Sequence, residues 1–126
     1  MASQKVLVVD DEPHILLILD KVLQRYGCMV EKAECGESAL NLLYSNLYDI
    51  VILDLMMPGI SGIEVCRKIR EDDRIKDTPV VILTADKNEC DKEECLTLGI
   101  SDYIAKPFSP KKIAERIEEI LGKLGP

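Results

Sequence analysis

Short apolar runs alternate with amphipathic segments along the chain, and this alternation predicts repeated βα units. Five runs have the length and apolar content of strands: Lys5–Val9, Met29–Ala33, Ile50–Asp54, Val80–Thr84 and Asp102–Ala105. The run from Ile50 shows no polar alternation before its final aspartate, as in a strand buried on both faces. The pattern therefore predicts an α/β fold, with a parallel sheet covered by helices on both sides.

Apolar residues at helical spacing predict the helices between and after these strands. The first helix starts at Pro13, ends before Gly27 and should bury Ile15, Leu19, Val22, Leu23 and Tyr26. The second should run from about Glu37 to Asn46 and bury Ala39, Leu40, Leu43 and Leu47. The third starts after the N-cap Ser61 and turns Ile63, Cys66 and Ile69 inward. The last starts at Pro110 and presents Ile113, Ile117, Ile120, Leu121 and Leu124.

The fourth helix, expected at Asn88–Leu98, is mainly acidic. It leaves Cys90, Cys95, Leu96 and Leu98 to pack against the rest of the protein. A helix with so small an apolar face is a candidate for a moving or partner-facing element. A well-solvated surface helix is the other interpretation, and the pattern leaves both open.

Size and composition bound the class of protein. A chain of 126 residues with 47% hydrophobic content suits one domain spanning 1–126. The net charge of -7 argues against direct nucleic-acid binding, and no apolar run approaches the length of a membrane span. No secretory signal pattern opens the sequence. Five cysteines without a CxxC pair suggest neither a disulfide framework nor a zinc site, so we expect buried or idle thiols in a soluble cytoplasmic protein.

Polar side chains fall where the predicted strands end. Asp10–Glu12 follow the first strand, Asp54 ends the third, Thr84 ends the fourth and Lys106 follows the fifth. In open α/β sheets, ligands bind outside the carboxyl ends of the strands, near the point where the strand order reverses. If the order is 2-1-3-4-5, the first and third strands are neighbours, and their acidic residues converge at that point.

Converging carboxylates repel one another unless a cation lies among them or some are protonated. Mg²⁺ suits Asp10, Asp11 and Asp54 best, since it prefers oxygen ligands and retains waters for an incoming phosphate. His14 and the scattered cysteines offer no softer site for zinc or copper.

Lys106 and Thr84 complete the chemistry of this edge. A nucleophilic carboxylate, a metal, an ammonium and a hydroxyl are the groups that a transferred phosphoryl group needs. The sequence has no Gly-rich phosphate-binding loop, so the phosphoryl group should come from a donor and not from a resident nucleotide.

Four segments together resemble the receiver domain of two-component response regulators. They are VLVVDDEP (6–13), VILDLMMPGISG (51–62), VVILTA (80–85) and DYIAKPFSP (102–110), in the family's order and spread over almost the whole chain. The resemblance implies a three-layer, flavodoxin-like (βα)5 fold, a doubly wound parallel sheet of strand order 2-1-3-4-5.

The resemblance also implies roles for the acidic residues. Asp54 matches the phosphoacceptor, and Asp10 with Asp11 matches the acidic pair that supports Mg²⁺. Asp11, Asp54 and the backbone carbonyl of Met56 would be the direct protein ligands. The simpler alternative is that Asp10 and Asp11 only favour the start of the first helix.

The remaining matches concern the switch. Thr84 matches the hydroxyl that hydrogen-bonds the phosphoryl oxygen, Lys106 the family's lysine, and Tyr103 the aromatic residue that turns inward as Thr84 moves. The resemblance also implies a cis bond before Pro107. Without the resemblance, Thr84 and Tyr103 are ordinary strand or packing residues, Met56 and Met57 fill gaps in the core, and His14 is a surface residue. The variable positions Met56, Ala85 and Asp86 leave the dephosphorylation rate open.

The expected function is a phosphorylation switch, not a classical enzyme, with self-phosphorylation and autodephosphorylation its only activities. A histidine kinase, a histidine phosphotransfer protein or a small phosphodonor would phosphorylate Asp54, and the face of the fourth helix, fifth strand and fifth helix would then change its preference for an effector or output domain. A phosphorylation-dependent homodimer and the nature of the output stay open.

Two rivals belong to other classes. An aspartate-nucleophile, Mg²⁺-dependent phosphohydrolase of the haloacid dehalogenase kind wants a second aspartate where this chain has Met56. A flavin-binding module would need a phosphate loop where this chain has Asp10–Glu12.

Overall fold

The computed structural model describes residues 4–85 and 92–124, which form alternating strands and helices. The elements are β1 (Lys5–Val9), α1 (Pro13–Arg25), β2 (Met29–Ala33), α2 (Gly36–Ser45), β3 (Ile50–Asp54), α3 (Gly62–Glu71), β4 (Val80–Thr84), α4 (Lys92–Thr97), β5 (Asp102–Ala105) and α5 (Pro110–Leu124). The predicted bounds of all five strands are confirmed.

The strands form one parallel sheet in the order β2-β1-β3-β4-β5. The order reverses between β1 and β3, where Val9 pairs with Leu53. Asp10 and Asp54 are therefore the next residues at the carboxyl ends of two adjacent strands. The predicted α/β class, with a doubly wound, flavodoxin-like sheet between two layers of helices, is confirmed.

Each face of the sheet has its own core, which explains the unbroken apolar runs of the central strands. Leu7 and Leu53 pack on the side of α2 and α3, whereas Val8 and Ile52 pack on the side of α1 and α5. All four side chains are fully buried. Burying a leucine, isoleucine or valine contributes roughly 1.5–3 kcal/mol, so the central strands hold the edge that carries the polar residues in a fixed position.

Local signals set the starts of α1 and α3 as predicted. Pro13 occupies the first turn of α1. The Ser61 hydroxyl accepts a hydrogen bond from the Glu64 N–H at 3.3 Å and caps α3. Among the described residues, no helix combines the length and the apolar content that crossing a bilayer would demand.

Three predicted core positions are wrong. Leu47 is 63% exposed because α2 ends at Ser45, before the helical period can bring it inward. Tyr26, 46% exposed, is already the C-cap of α1. Leu96 is 81% exposed, because the buried Cys95 marks the inward face of α4 and the next residue along a helix turns about 100° away from it.

The start predicted for the fourth helix lies outside the described residues, and one cysteine differs from expectation. The described helix α4 starts at Lys92, and positions 86–91, with Asp86 and Cys90, lie outside the described residues. Cys95 is disulfide-bonded, although the sequence suggested idle thiols. Cys28, Cys35 and Cys66 are free. The odd count without a CxxC pair carried no local signal for a disulfide.

Arg70 of α3 ties three backbone segments together. Its guanidinium donates to the carbonyls of Leu98 at 2.5 Å and Gly99 at 3.3 Å, at the end of α4. It also donates to the carbonyls of Lys76 at 2.8 Å and Thr78 at 2.6 Å, before β4. This clamp could not be predicted from the sequence, because backbone carbonyls are acceptors at every position and do not depend on residue type.

Candidate functional site

Three charged side chains meet at the carboxyl edge of the sheet. The Lys106 Nζ lies 2.8 Å from Asp10 Oδ2 and 3.4 Å from Asp54 Oδ2. Asp10 follows β1, Asp54 ends β3 and Lys106 follows β5, so rigid strands on both sides of the order reversal position the group. The structure thus brings together the two aspartates and the lysine that the sequence placed at strand ends.

These charges are shielded from solvent. The side chains of Asp10, Asp54 and Lys106 are 0%, 5% and 13% exposed. Burial and the charge of Asp10 raise the pKa of Asp54 to about 6, although Lys106 and the Met56 N–H oppose the shift. Burial alone would lower the pKa of Lys106, but the contacts with Asp10 and Asp54 outweigh it and the pKa is raised. Asp54 is therefore mostly ionised at neutral pH, at a cost in free energy.

Backbone N–H groups orient both carboxylates. The Glu12 N–H donates to Asp10 Oδ1 at 2.9 Å, and the Met56 N–H donates to Asp54 Oδ1 at 3.3 Å. In each case the other oxygen faces Lys106. Asp10 Oδ2 is buried and, despite its closeness to the ammonium, accepts no well-aligned hydrogen bond. A buried carboxylate oxygen with unused acceptor capacity is a suitable ligand for a hard cation.

The acidic cluster fits a divalent cation of the magnesium kind. Carboxylate oxygens of Asp10, Asp11 and Glu12 lie within 4.8 Å of one another. Asp11 is exposed, whereas Asp10 is buried. Asp54 is not a member of this group, but its carboxylate and that of Asp10 both contact the Lys106 ammonium. Oxygen ligands alone, from one buried and two more accessible carboxylates, suit Mg²⁺ with several retained waters.

Thr84 and Tyr103 lie on β4 and β5, the two strands that follow β3 in the sheet. Thr84 is fully buried at the end of β4, and its carbonyl accepts a hydrogen bond from the Lys106 N–H at 2.7 Å. Tyr103 in β5 is half-buried against the core on the α3 side. Burial, with a contribution from Cys66, raises the pKa of its phenol. The switching roles of both side chains stay predictions.

Other predicted positions have these placements. The peptide bond between Lys106 and Pro107 is cis. Met57 is buried, in keeping with a gap-filling role, whereas the Met56 side chain is 64% exposed and fills no gap in the core. His14 is exposed at the start of α1, as expected of a surface residue. The role of the Met56 carbonyl as a metal ligand stays a prediction.

Two residues of the site were missed by the sequence reasoning. Glu12 lies 3.2 Å from the Lys106 ammonium, and its place next to the acidic pair was the available signal. Gly62 opens α3 directly against Asp54: a Cβ there would lie 2.3 Å from the Asp54 carbonyl oxygen. A side chain at this position would push α3 away from the end of β3, and the glycine alone gave no sign of this contact.

Comparisons with known proteins agree with this geometry. Residues 6–118 match the family described as the response regulator receiver domain. The transcriptional regulatory protein ResD of Bacillus subtilis is 44% identical over 117 residues, which cover 93% of this chain and 48% of ResD. The chain spans about half the length of the curated relatives it matches.

Solved structures of response regulators also resemble this chain in fold. The chemotaxis response regulator CheY4 of Vibrio cholerae superposes with a TM-score of 0.87 and 30% identity, covering 94% of this chain and 99% of that one. The response regulator TrrA of Thermotoga maritima, solved in complex with Mg²⁺-BeF, gives a TM-score of 0.82 and 38% identity over 93% of this chain and 98% of that one.

Receiver domains are signalling domains that bind Mg²⁺ at an acidic pocket, and response regulators are phosphorylated by histidine kinases and act on output domains. The match over most of the chain, the strand order and the acid-lysine cluster lead to one conclusion. This chain belongs to the response regulator receiver domain family of two-component signalling.

Proposed function

We propose that Asp54 accepts a phosphoryl group and that its phosphorylation switches the domain between partner preferences. The observation that carries this proposal is the placement of Asp54. Its buried carboxylate ends a central strand, has a pKa raised to about 6, and lies 3.4 Å from an ammonium. Ionised at neutral pH yet poorly solvated, it is a competent nucleophile for phosphorus.

The transfer itself is a substitution at phosphorus. An Asp54 carboxylate oxygen forms the new P–O bond as the P–N bond of a phosphohistidine breaks, and the electron pair of that bond returns to the imidazole. A small acyl phosphate would donate in the same way through its P–O bond. Lys106, fixed beside Asp54, would offset the negative charge on the phosphoryl oxygens.

Asp10, Asp11, Asp54 and the Met56 carbonyl would hold Mg²⁺, with Asp10 acting as support beside the direct ligands. When bound, the ion would neutralise charge both on the acidic cluster and on the incoming phosphoryl group. The cluster of Asp10, Asp11 and Glu12 and the unused lone pairs of Asp10 Oδ2 support this assignment.

The switch would run from Thr84 through Tyr103 to the surface formed by α4, β5 and α5. Thr84 is at the end of the strand next to β3 and would follow the new charge on Asp54. Tyr103, half-buried on the adjacent strand, would then turn inward. The exposed Leu96 on α4 supports a partner-facing role for this surface. The change is a population shift between two preferences.

The wider assignments follow from this proposal. Residues 1–126 would act as a single receiver domain that takes its phosphoryl group from a histidine kinase or a histidine phosphotransfer protein. It would control an output domain or effector, with a phosphorylation-dependent homodimer as one form of control. With a net charge of -7, the domain would not bind nucleic acid itself. A cytoplasmic location is supported by relatives named as bacterial transcriptional regulators, since bacterial transcription is cytoplasmic.

Intact-protein mass spectrometry tests the proposal. Wild-type protein and Asp54→Asn are incubated with acetyl phosphate and Mg²⁺, with and without excess chelator. We expect the wild type to gain the mass of one phosphoryl group only when Mg²⁺ is available, and Asp54→Asn to gain none. Equal labelling of the two proteins would contradict the proposal. Steady hydrolysis of a phosphomonoester, with no gain in the mass of the protein, would also contradict it and would favour a phosphohydrolase.

A further inference from the structure

The Lys106 ammonium has a third carboxylate partner, Glu12, in addition to the two aspartates. Glu12 Oε1 lies 3.2 Å from Nζ, and Glu12 Oε2 lies 3.3 Å from His14 Nε2. Glu12 is the N-cap residue of α1, yet its side chain makes no capping hydrogen bond. One carboxylate oxygen therefore contacts the lysine and the other contacts His14 at the start of α1, and neither caps the helix backbone.

The three partners differ sharply in exposure. The side chains of Asp10 and Asp54 are 0% and 5% exposed, whereas that of Glu12 is 46% exposed. Breaking a buried ion pair leaves an uncompensated charge and is costly, while breaking a partly exposed pair costs little because water replaces the lost partner. Glu12 is therefore the partner that Lys106 can release most easily.

Lys106 faces three carboxylates, and its contact with Glu12 is a hydrogen bond of good geometry. Moving the ammonium towards a group newly attached to Asp54 would lengthen its contact with Asp10 or with Glu12. Release of Asp10 would strand a fully buried charge. Release of Glu12 returns a carboxylate to solvent.

We infer that Glu12 is a positioning residue that holds Lys106 in the unphosphorylated domain and is displaced when an anion occupies Asp54. This inference rests on the proposed phosphoacceptor role of Asp54. Glu12 then competes with the phosphoryl group for the same ammonium, and this competition lowers the stability of the activated state.

A different role for Glu12 would give the opposite sign. If its carboxylate served only to attract Mg²⁺ as part of the cluster with Asp10 and Asp11, its removal would weaken metal and phosphoryl-analogue binding together. If it competes for Lys106, its removal strengthens binding of the analogue even where Mg²⁺ binding is unchanged or weaker.

The test is the affinity for beryllofluoride at saturating Mg²⁺, followed by ¹⁹F NMR, for wild type, Glu12→Gln and Glu119→Gln. Glu119→Gln removes the same charge from an exposed position on α5 and should bind as the wild type does. We expect Glu12→Gln to bind beryllofluoride about two- to fivefold more tightly, the range of one partly exposed ion pair. Mg²⁺ affinity without beryllofluoride should not increase.

A second measurement examines the contact between Glu12 and Lys106 in the absence of metal and anion. The ¹⁵N signal of the Lys106 ammonium, recorded on chelator-treated protein, should show faster hydrogen exchange in Glu12→Gln than in the other two proteins. Equal or weaker beryllofluoride binding by Glu12→Gln, or an unchanged ammonium signal, would overturn the inference alone. Absence of binding by the wild type would overturn the proposed function and this inference with it.

Discussion

Replacing Asp54 by asparagine should stabilise the protein at neutral pH, because it removes a buried charge that folding disfavours. The pKa of Asp54 is raised from the ordinary 3.8 to about 6. This difference is about two pH units, each worth about 1.4 kcal/mol, so the ionised carboxylate costs about 3 kcal/mol once the pH exceeds both values. The folded state holds the proton more tightly than the unfolded state, so this cost appears as the pH rises through the interval and is absent below it.

The assay is urea unfolding of wild type and Asp54→Asn in chelator across about pH 4 to 7.5. We expect the asparagine variant to be about 3 kcal/mol more stable near pH 7.5, about half of that near pH 5, and about 0.5 kcal/mol more stable near pH 4. At neutral pH this corresponds to a rise of about 10 °C in Tm for a chain of this size. Added Mg²⁺ should stabilise the wild type and narrow the difference.

Asp73→Asn is the matched control, since the Asp73 side chain is 100% exposed. Its effect should stay within about 0.5 kcal/mol at every pH. An Asp54→Asn variant no more stable than the wild type near pH 7.5, or a gain that does not shrink towards pH 4, would refute the reasoning that the buried charge of Asp54 is only partly compensated by Lys106.

Two further predictions concern the scaffold around the site. Arg70→Met should lower the free energy of unfolding by about 2–4 kcal/mol because it removes four charge-assisted hydrogen bonds to backbone carbonyls. Arg67→Met, which loses only solvent-accessible ion pairs with Glu64 on α3 and Glu94 on α4, should cost less than about 1 kcal/mol in the same urea titration. Equal losses in the two variants would contradict the clamp by Arg70. Gly62→Ala should cost at least about 2 kcal/mol, since its Cβ meets the backbone of Asp54. Gly122→Ala, which has open space around it in α5, should be neutral or should stabilise the protein by up to about 1 kcal/mol in thermal unfolding. A Gly62→Ala variant as stable as the wild type would argue against the close approach of Gly62 to the Asp54 backbone.

The strands and the edge they form could be predicted because their physical causes are local. A strand buried on both faces has an unbroken apolar sequence. The strand Ile50–Asp54 follows this rule and carries a charge only at its last residue, where the sheet ends. The parallel arrangement then places Asp10, Asp54 and Lys106 at one edge whatever the loops between them do. These were the features on which the candidate site depended.

The features that escaped prediction depend on distances that sequence periodicity does not encode. Leu47 and Leu96 were assigned to the core because they are apolar, yet both are exposed. Burial also depends on where the helix ends, which decides the case of Leu47, and on which face of the helix a residue occupies, which decides that of Leu96. Glu12 follows the acidic pair in the sequence, and only the position of Lys106 shows that its side chain belongs to the site. Gly62 is required by the backbone of a strand that precedes it, and a glycine carries no side chain to indicate this.

The most direct test of the central claim is to locate the phosphoryl group chemically. Wild-type protein treated with acetyl phosphate and Mg²⁺ is reduced with borohydride, which converts an aspartyl phosphate to homoserine, and is then mapped by peptide sequencing. We predict homoserine at position 54, formed only with Mg²⁺ present. Homoserine at another aspartate, or none at position 54 despite full Mg²⁺ loading, would contradict the account.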